Sequence, residues 1–247
     1  AIARGPHRFR KLVVLKMLHS HFAEDPSVVA MFLDEARLAA RLEHPNIVQT
    51  LEVGVHEDRH FLAMAYLEGL PLDRILARFG QRDEQLPVTI AVRIAIEVLE
   101  GLAYAHGLGD YDGTPLGIVH RDISPANVFV CWDGSVKILD FGIAKAATRR
   151  ANTDSGIIKG KFGYIAPEQA KGEELDARAD VWSVGVVLWE MLTSRRLFPA
   201  MNDVTTLQAL VADELRDVRD YAPDAPAPVV AVLERALKKD PEQRYAS

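Results

Sequence analysis

The stretch between residues 118 and 142 constrains this chain most. His120-Arg121-Asp122 is followed, five residues after the aspartate, by Asn127 and then by the strand-like run VFVCW; Asp133-Gly134 leads into a second run, VKIL, and Asp140-Phe141-Gly142 comes next. Two short apolar runs joined through Asp-Gly read as a tight hairpin. Such a hairpin brings an acid and an amide, just ahead of its first strand, close to a second acid just behind its second strand. Oxygen ligands at neighbouring strand ends suit a hard divalent cation, and a carboxylate among them suits proton acceptance from a hydroxyl. Read from these residues alone, Asp122 and Asn127 also fit a plain turn before a strand, and Asp140 a turn or a helix cap.

Around that hairpin the chain changes character once. RKLVVLKML, after the Gly5-Pro6 turn signal, reads as a strand. Within 27–43 the residues Val28, Phe32, Ala36, Ala39 and Leu42 recur at helical spacing, with Ser27 as the expected cap and His44-Pro45 as the stop. Strands are expected at 48–55 and 61–66. From LEGLPL onward the pattern is helical almost to the end, with a long amphipathic helix at 87–106, a second Asp-Gly turn at Asp112-Gly113, and a loop in APDAPAP at 222–228. The order predicts an α+β chain: a small β-rich lobe with one helix, then a larger, mainly helical lobe.

Composition excludes several classes. A chain of 247 residues with 49% apolar and 26% charged residues can bury a core and is not a disordered segment. The net charge of −6 argues against nucleic acid as a partner. Cys131 is the single cysteine, so no internal disulfide is available and the cytoplasm is the expected compartment. The longest apolar run, at 181–192, is too short for a membrane span and carries Glu190, so no membrane contact is expected within this segment. His19, His21, His56 and His60 lack Cys or acidic neighbours at tetrahedral spacing and read as loop histidines rather than metal ligands. The chain opens on Ala1 and stops at Ser247 straight after a helix-like run, so it is expected to be a fragment, with any anchor or further domain outside it.

Seven landmarks in one order carry a resemblance. They are VVLK ending at Lys16, Glu35 in the first helix, HRDISPAN at 120–127, DFG at 140–142, APE at 166–168, DVWSVGVVLWEML from Asp180, and Arg244. With them the chain resembles, over essentially its whole length, the bacterial eukaryotic-type protein serine/threonine kinase family. The resemblance implies a bilobal kinase fold with a partial N-terminal lobe at 1–64, a hinge at 65–68 and a C-terminal lobe at 69–247. It implies ATP and magnesium as cofactors, and proteins with Ser or Thr acceptors as partners. Lys16 would pair with the α- and β-phosphates and with Glu35; Asp122 would be the catalytic base; Asn127 and Asp140 would hold magnesium. Met64 would stand behind the adenine, whose edge would bond to backbone groups of Ala65 and Leu67, with Val14 above the ring and Phe129 below. His120 would pack against Phe141, Glu168 would pair with Arg244, and Asp180 would cap the backbone around Asp122. Apart from the resemblance, Glu35 falls inside its helix's apolar stripe, where a carboxylate needs a cationic partner. The resemblance further implies that Arg121, beside the base, is a buried positive charge that a phosphate on Thr148, Thr153 or Ser155 would neutralise.

The sequence departs from the family in three places. Where such kinases carry a lysine two residues after the catalytic aspartate, this chain has Ser124; where they carry a threonine before APE, it has Lys161 in KGKFGYIAPE. An exchange is expected, Lys161 supplying the charge and Ser124 the small polar partner, a combination similar to that of kinases from social soil bacteria. The glycine-rich phosphate loop belongs well before Lys16 and is not in the chain. GLGDYDG at 107–113 has the wrong glycine spacing, and GIIKGKF at 156–162 is one residue short of a Walker loop. The chain as given is therefore expected to bind ATP poorly, with residues 1–3 ending the family's second strand. The last helix of the large lobe is likewise expected beyond residue 247. Two other readings are weighed. Aminoglycoside-type phosphotransferases share the HxD…N pattern, but APE and the helix from Asp180 speak against them. A non-catalytic binding module is disfavoured for the parent protein by its complete set of catalytic side chains. Nothing matches the catalytic loop of tyrosine kinases.

Overall fold

The computed structural model describes residues 1–4, 6–8, 10–18, 25–57, 59–141, 162–198, 205–206, 209–210 and 215–247. Four strands, β1 (Ile2–Arg4), β2 (Arg10–Met17), β3 (Thr50–His56) and β4 (Arg59–Ala65), form an antiparallel sheet in the order β1-β2-β4-β3. The β2/β4 register sets Val14 opposite Met64 and Lys16 opposite Leu62. Residues directly opposite share a face, so these four side chains line one side of the sheet. Helix α1 (Pro26–Ala39) packs there, with Phe32 and Ala36 joining Leu18 and Leu62 in a small core. The cap of α1 is Asp25 and not Ser27. Its carboxylate accepts the Ser27 N–H at 2.9 Å, and Pro26 takes the first helical position, where its missing N–H costs nothing.

The segment after α1 is tied to the rest of the molecule. Buried Asn46 donates to Glu97 Oε2 and to the Val136 carbonyl, both at 3.0 Å, while Val48 N–H bonds the Ile138 carbonyl at 3.0 Å. Glu97 comes from the middle of α3 (Val88–His106), so the small sheet is anchored on the long helix of the larger lobe.

A second antiparallel sheet carries β5 (Gly69–Pro71), β6 (Val128–Cys131) and β7 (Val136–Ile138) in that order. Here LEGLPL, expected to start a helix, first makes a strand. Pro71 holds extended backbone ahead of α2 (Leu72–Gln81), and Gly69 lets the chain pass so near β6 that a Cβ would lie 2.1 Å from the Val130 carbonyl oxygen. Asp133-Gly134 closes the β6/β7 hairpin as expected, with Gly134 at φ 86°. The Asp112-Gly113 turn closes no pair of strands, only the single bridge of Gly109 to Pro115. Among the described residues the remaining α-helices are α4 (Pro167–Lys171), α5 (Arg178–Thr193) and α6 (Ala227–Ala236). Every residue of α5 from Ala179 onward is buried, in keeping with a sequence that is apolar on all sides apart from Asp180, Ser183, Glu190 and Thr193. Among the described residues no helix is long and apolar enough to cross a membrane.

Candidate active site

Between α3 and β6, residues 118–124 have no regular structure and only the single 3-10 turn Pro125–Asn127 precedes the strand, so something else must hold the shape of this segment. That is Asp180, fully buried in the first turn of α5. Its Oδ2 accepts from the His120 N–H at 2.8 Å, its Oδ1 accepts from the Arg121 N–H at 2.9 Å, and His106 Nε2 lies 2.8 Å from Oδ2. Arg121 has φ 66°, a left-handed conformation that costs about 1–3 kcal/mol in a side-chain-bearing residue and persists only when its surroundings hold it. The strained residue delivers Asp122, buried, into the turn that follows. Asn127 Nδ2 donates to the Asp122 carbonyl at 2.7 Å and to Asp122 Oδ2 at 2.8 Å. Both amide hydrogens are thus spent on one residue, and Asn127 Oδ1 is left without a hydrogen bond among the described residues.

The second acid arrives from β7. Leu139 N–H donates to the Asn127 carbonyl at 2.8 Å, and His120 Nε2 bonds the Leu139 carbonyl at 3.1 Å. Since the Asp122 N–H points at His120 Nδ1, the network assigns the proton of His120 to Nε2. The ring of Phe141 lies 4.6 Å from that imidazole. Asp140, between Leu139 and Phe141 in the chain, is another left-handed residue at φ 48°. Its Oδ1 accepts from Lys16 Nζ at 3.0 Å, and Lys16 also donates to Glu35 at 2.8 Å. Burial works against the Lys16 ammonium, but the carboxylates of Asp140 and Glu35 together outweigh it and raise its pKa, so the lysine is charged. Three segments far apart in sequence, β2, α1 and the end of β7, therefore meet on one ammonium group.

The apolar candidates flank this cluster. Val14, on the Lys16 face of β2, is 40% exposed, and Met64 beside it is half-buried. Ala65 N–H bonds the Gln49 carbonyl at 2.9 Å. Alternation along β6 turns half-buried Phe129 away from the core side that holds Val128. Ser124 is buried in the segment between Asp122 and β6, and its hydroxyl has no partner. Gly142, Lys161, Thr148, Thr153 and Ser155 lie outside the described residues. Arg121 is half-buried, not buried as expected.

Glu168 and Arg244 make a two-pronged pair at 2.7 and 2.8 Å, and Arg244 spends its other three N–H groups on the carbonyls of Lys238, Lys239 and Arg178. Sequence reasoning missed three further groups: His106 on Asp180, the Asn46–Glu97 tie, and a buried Glu190 that accepts from the Tyr164 hydroxyl at 2.8 Å. Burial pushes the Glu190 carboxyl up to about 8, with the Leu197 N–H opposing. The signal was present for both glutamates, since each interrupts an otherwise apolar helical run.

A lysine locked to a helix glutamate above a loop bearing Asp122 and Asn127 is the shared geometry of one large class of phosphotransferases. The chain belongs to the protein kinase domain family, whose model matches residues 6–247. It is 44% identical over 241 residues to the tyrosine-protein kinase MasK of Myxococcus xanthus, covering 98% of this chain and 37% of that protein. To the serine/threonine-protein kinase PrkC of Bacillus subtilis it is 31% identical, covering 94% of this chain and 34% of the relative. The chain thus spans little more than a third of the length of these relatives. The crystal structure of the PknI kinase domain of Mycobacterium tuberculosis superposes with a TM-score of 0.72 at 26% identity, covering all of this chain and 85% of that one.

Proposed function

We propose that this domain transfers the γ-phosphoryl group of MgATP to serine and threonine hydroxyls of proteins. The observation that carries the reading is the Lys16 ammonium held at 2.8 Å from Glu35 and 3.0 Å from Asp140, beside a loop in which Asn127 orients Asp122. Lys16 is positioned to take phosphate oxygens while Glu35 keeps it in place. Asp122 orients the acceptor hydroxyl and receives its proton. Asn127 Oδ1 and the Asp140 carboxylate are the oxygen donors for magnesium, which when bound neutralises and orients the phosphates. Among the described residues no three His, Cys, Asp or Glu side chains are grouped to hold a metal by themselves. Val14 and Phe129 offer the apolar faces for the base, Met64 the wall behind it, and residues 65–68 the hinge between 1–64 and 69–247. The nucleotide is abundant in the cytoplasm, where this reading puts the domain.

PrkC is named a serine/threonine kinase and MasK a tyrosine kinase, so a tyrosine acceptor is the second reading. The test is to incubate the full-length protein with MgATP labelled at the γ-position, with and without a protein substrate, and analyse the labelled amino acids. Phosphoserine and phosphothreonine, abolished by Asp122→Asn, are expected. Phosphotyrosine alone would transfer the assignment to the second reading, and label on aminoglycosides but on no protein would overturn both.

A further inference from the structure

The C-terminal end of α5 carries a second cluster of ionisable groups that the reading above does not use. Ser194, at φ 51°, turns the chain out of the helix, and the buried Glu190 carboxyl takes the Leu197 N–H, which draws residues 195–197 back over it. Arg196 in that loop donates to the Tyr164 hydroxyl, which itself donates to Glu190 at 2.8 Å. The guanidinium lies 5.4 Å from the centroid of the Tyr164 ring, and the Arg196 side chain is still 53% exposed. One N–H is spent on Tyr164, and the others have no hydrogen-bond partner among the described residues.

Arg196 borders a cavity of about 160 Å³ together with Asp73 of α2, Pro125, Glu190 and Arg195. Sites for small molecules usually run to about 300–1,000 Å³, so this one suits a single side chain. Pro125 opens the turn that ends in Asn127, and the cavity is thus an immediate neighbour of the segment that presents Asp122. By residue type alone, Asp73 and Glu190 suggest a seat for a basic side chain. The electrostatics reverse that. Burial pushes the Glu190 carboxyl up to about 8, so at neutral pH it keeps its proton, and Arg196 Nη1 is 3.7 Å from it, beyond hydrogen-bond reach. Burial also works against the Arg196 charge, with Asp73 favouring it, but a guanidinium stays protonated. Two arginines against one carboxylate leave the cavity net positive. A lysine or arginine side chain would be repelled there, whereas a carboxylate would meet a guanidinium with unspent N–H groups.

We propose that Arg196 is a specificity-determining residue, which selects protein acceptors carrying an aspartate or glutamate close in sequence to the phosphorylated hydroxyl by binding that carboxylate in the cavity beside Pro125. This deepens the phosphotransfer reading above and rests on it. The full-length protein is assayed with a neutral acceptor peptide and with a series in which one aspartate, one lysine or one phosphoserine is walked along either side of the acceptor. At its best position the aspartate is expected to raise kcat/KM about 10-fold over the neutral peptide, through KM. Added salt should shrink that gain. Arg196→Ala should bring the ratio to about 1, and Arg196→Glu should favour lysine over aspartate at the same position. Arg196→Lys, which keeps the charge without the fork, should retain part of the preference. Each readout is a ratio within one protein, so a variant that folds less completely still reports. A parent that prefers lysine, ignores charge, or takes phosphoserine but not aspartate overturns the proposal. An aspartate preference that survives Arg196→Ala does the same. A parent that phosphorylates no acceptor at all sinks the phosphotransfer reading itself, and this inference with it.

Discussion

Glu190 shows how a single side chain can tie stability to pH. It is 4% exposed in the buried part of α5, and burial raises its pKa to about 8 from the usual value of 4.5. Between those two values the folded protein holds a proton that the unfolded chain releases, so stability falls as pH rises and stops falling once the folded carboxyl has ionised. The expected loss is roughly 3 kcal/mol between about pH 6 and pH 8, at 1.36 kcal/mol per pH unit. Calorimetric melting across that range should show the decline, and Glu190→Gln, which keeps a partner for the Tyr164 hydroxyl without a titrating proton, should flatten it. An equal slope in both proteins would assign the dependence to another group. Lys16 and Glu35 illustrate the opposite case, in which the sequence already announced the answer: an acid in an apolar stripe demanded a cation, and the ammonium is 2.8 Å away.

At the scale of elements, periodicity was legible and short irregular pieces were not. The long helix at 88–106 and the β6/β7 hairpin follow from apolar spacing and an Asp-Gly turn. β5 was hidden because three residues are too few to show alternation, and only its neighbour β6 makes them a strand. The dependence is testable at Gly69. A methyl there would meet the Val130 carbonyl oxygen at 2.1 Å and the Cys131 Cα at 2.7 Å, both backbone atoms that cannot swing aside. Gly69→Ala should therefore destabilise the fold by about 1–3 kcal/mol in urea titrations. It should also weaken ATP binding, because the strand begins directly after residues 65–68. An unaltered midpoint would mean that β5 can lift off β6 without cost.

Across the whole molecule, stability and site geometry share the same long-range ties. Glu168 and Arg244, 76 residues apart, form a fully buried two-pronged pair beneath the segment that follows residue 161. Removing one partner strands the other charge, so Glu168→Ala should cost about 3–5 kcal/mol. Against a total that is typically about 5–15 kcal/mol, that approaches unfolding, and chemical denaturation will measure it. A loss below 1 kcal/mol would show that Arg244 is held by its three carbonyls alone. By itself the sequence determined the chemistry at hand: which acids, amide and lysine exist, the order in which they occur, and the periodic elements that carry them, because these follow from local spacing and side-chain type. Only the tertiary structure decided that Lys16 reaches both Glu35 and Asp140, that Asp180 holds Arg121 in a strained conformation, and that the Ser124 hydroxyl is buried without a partner. Those facts depend on distances between segments brought together by packing, and no local pattern of residues encodes a distance across 124 positions of chain.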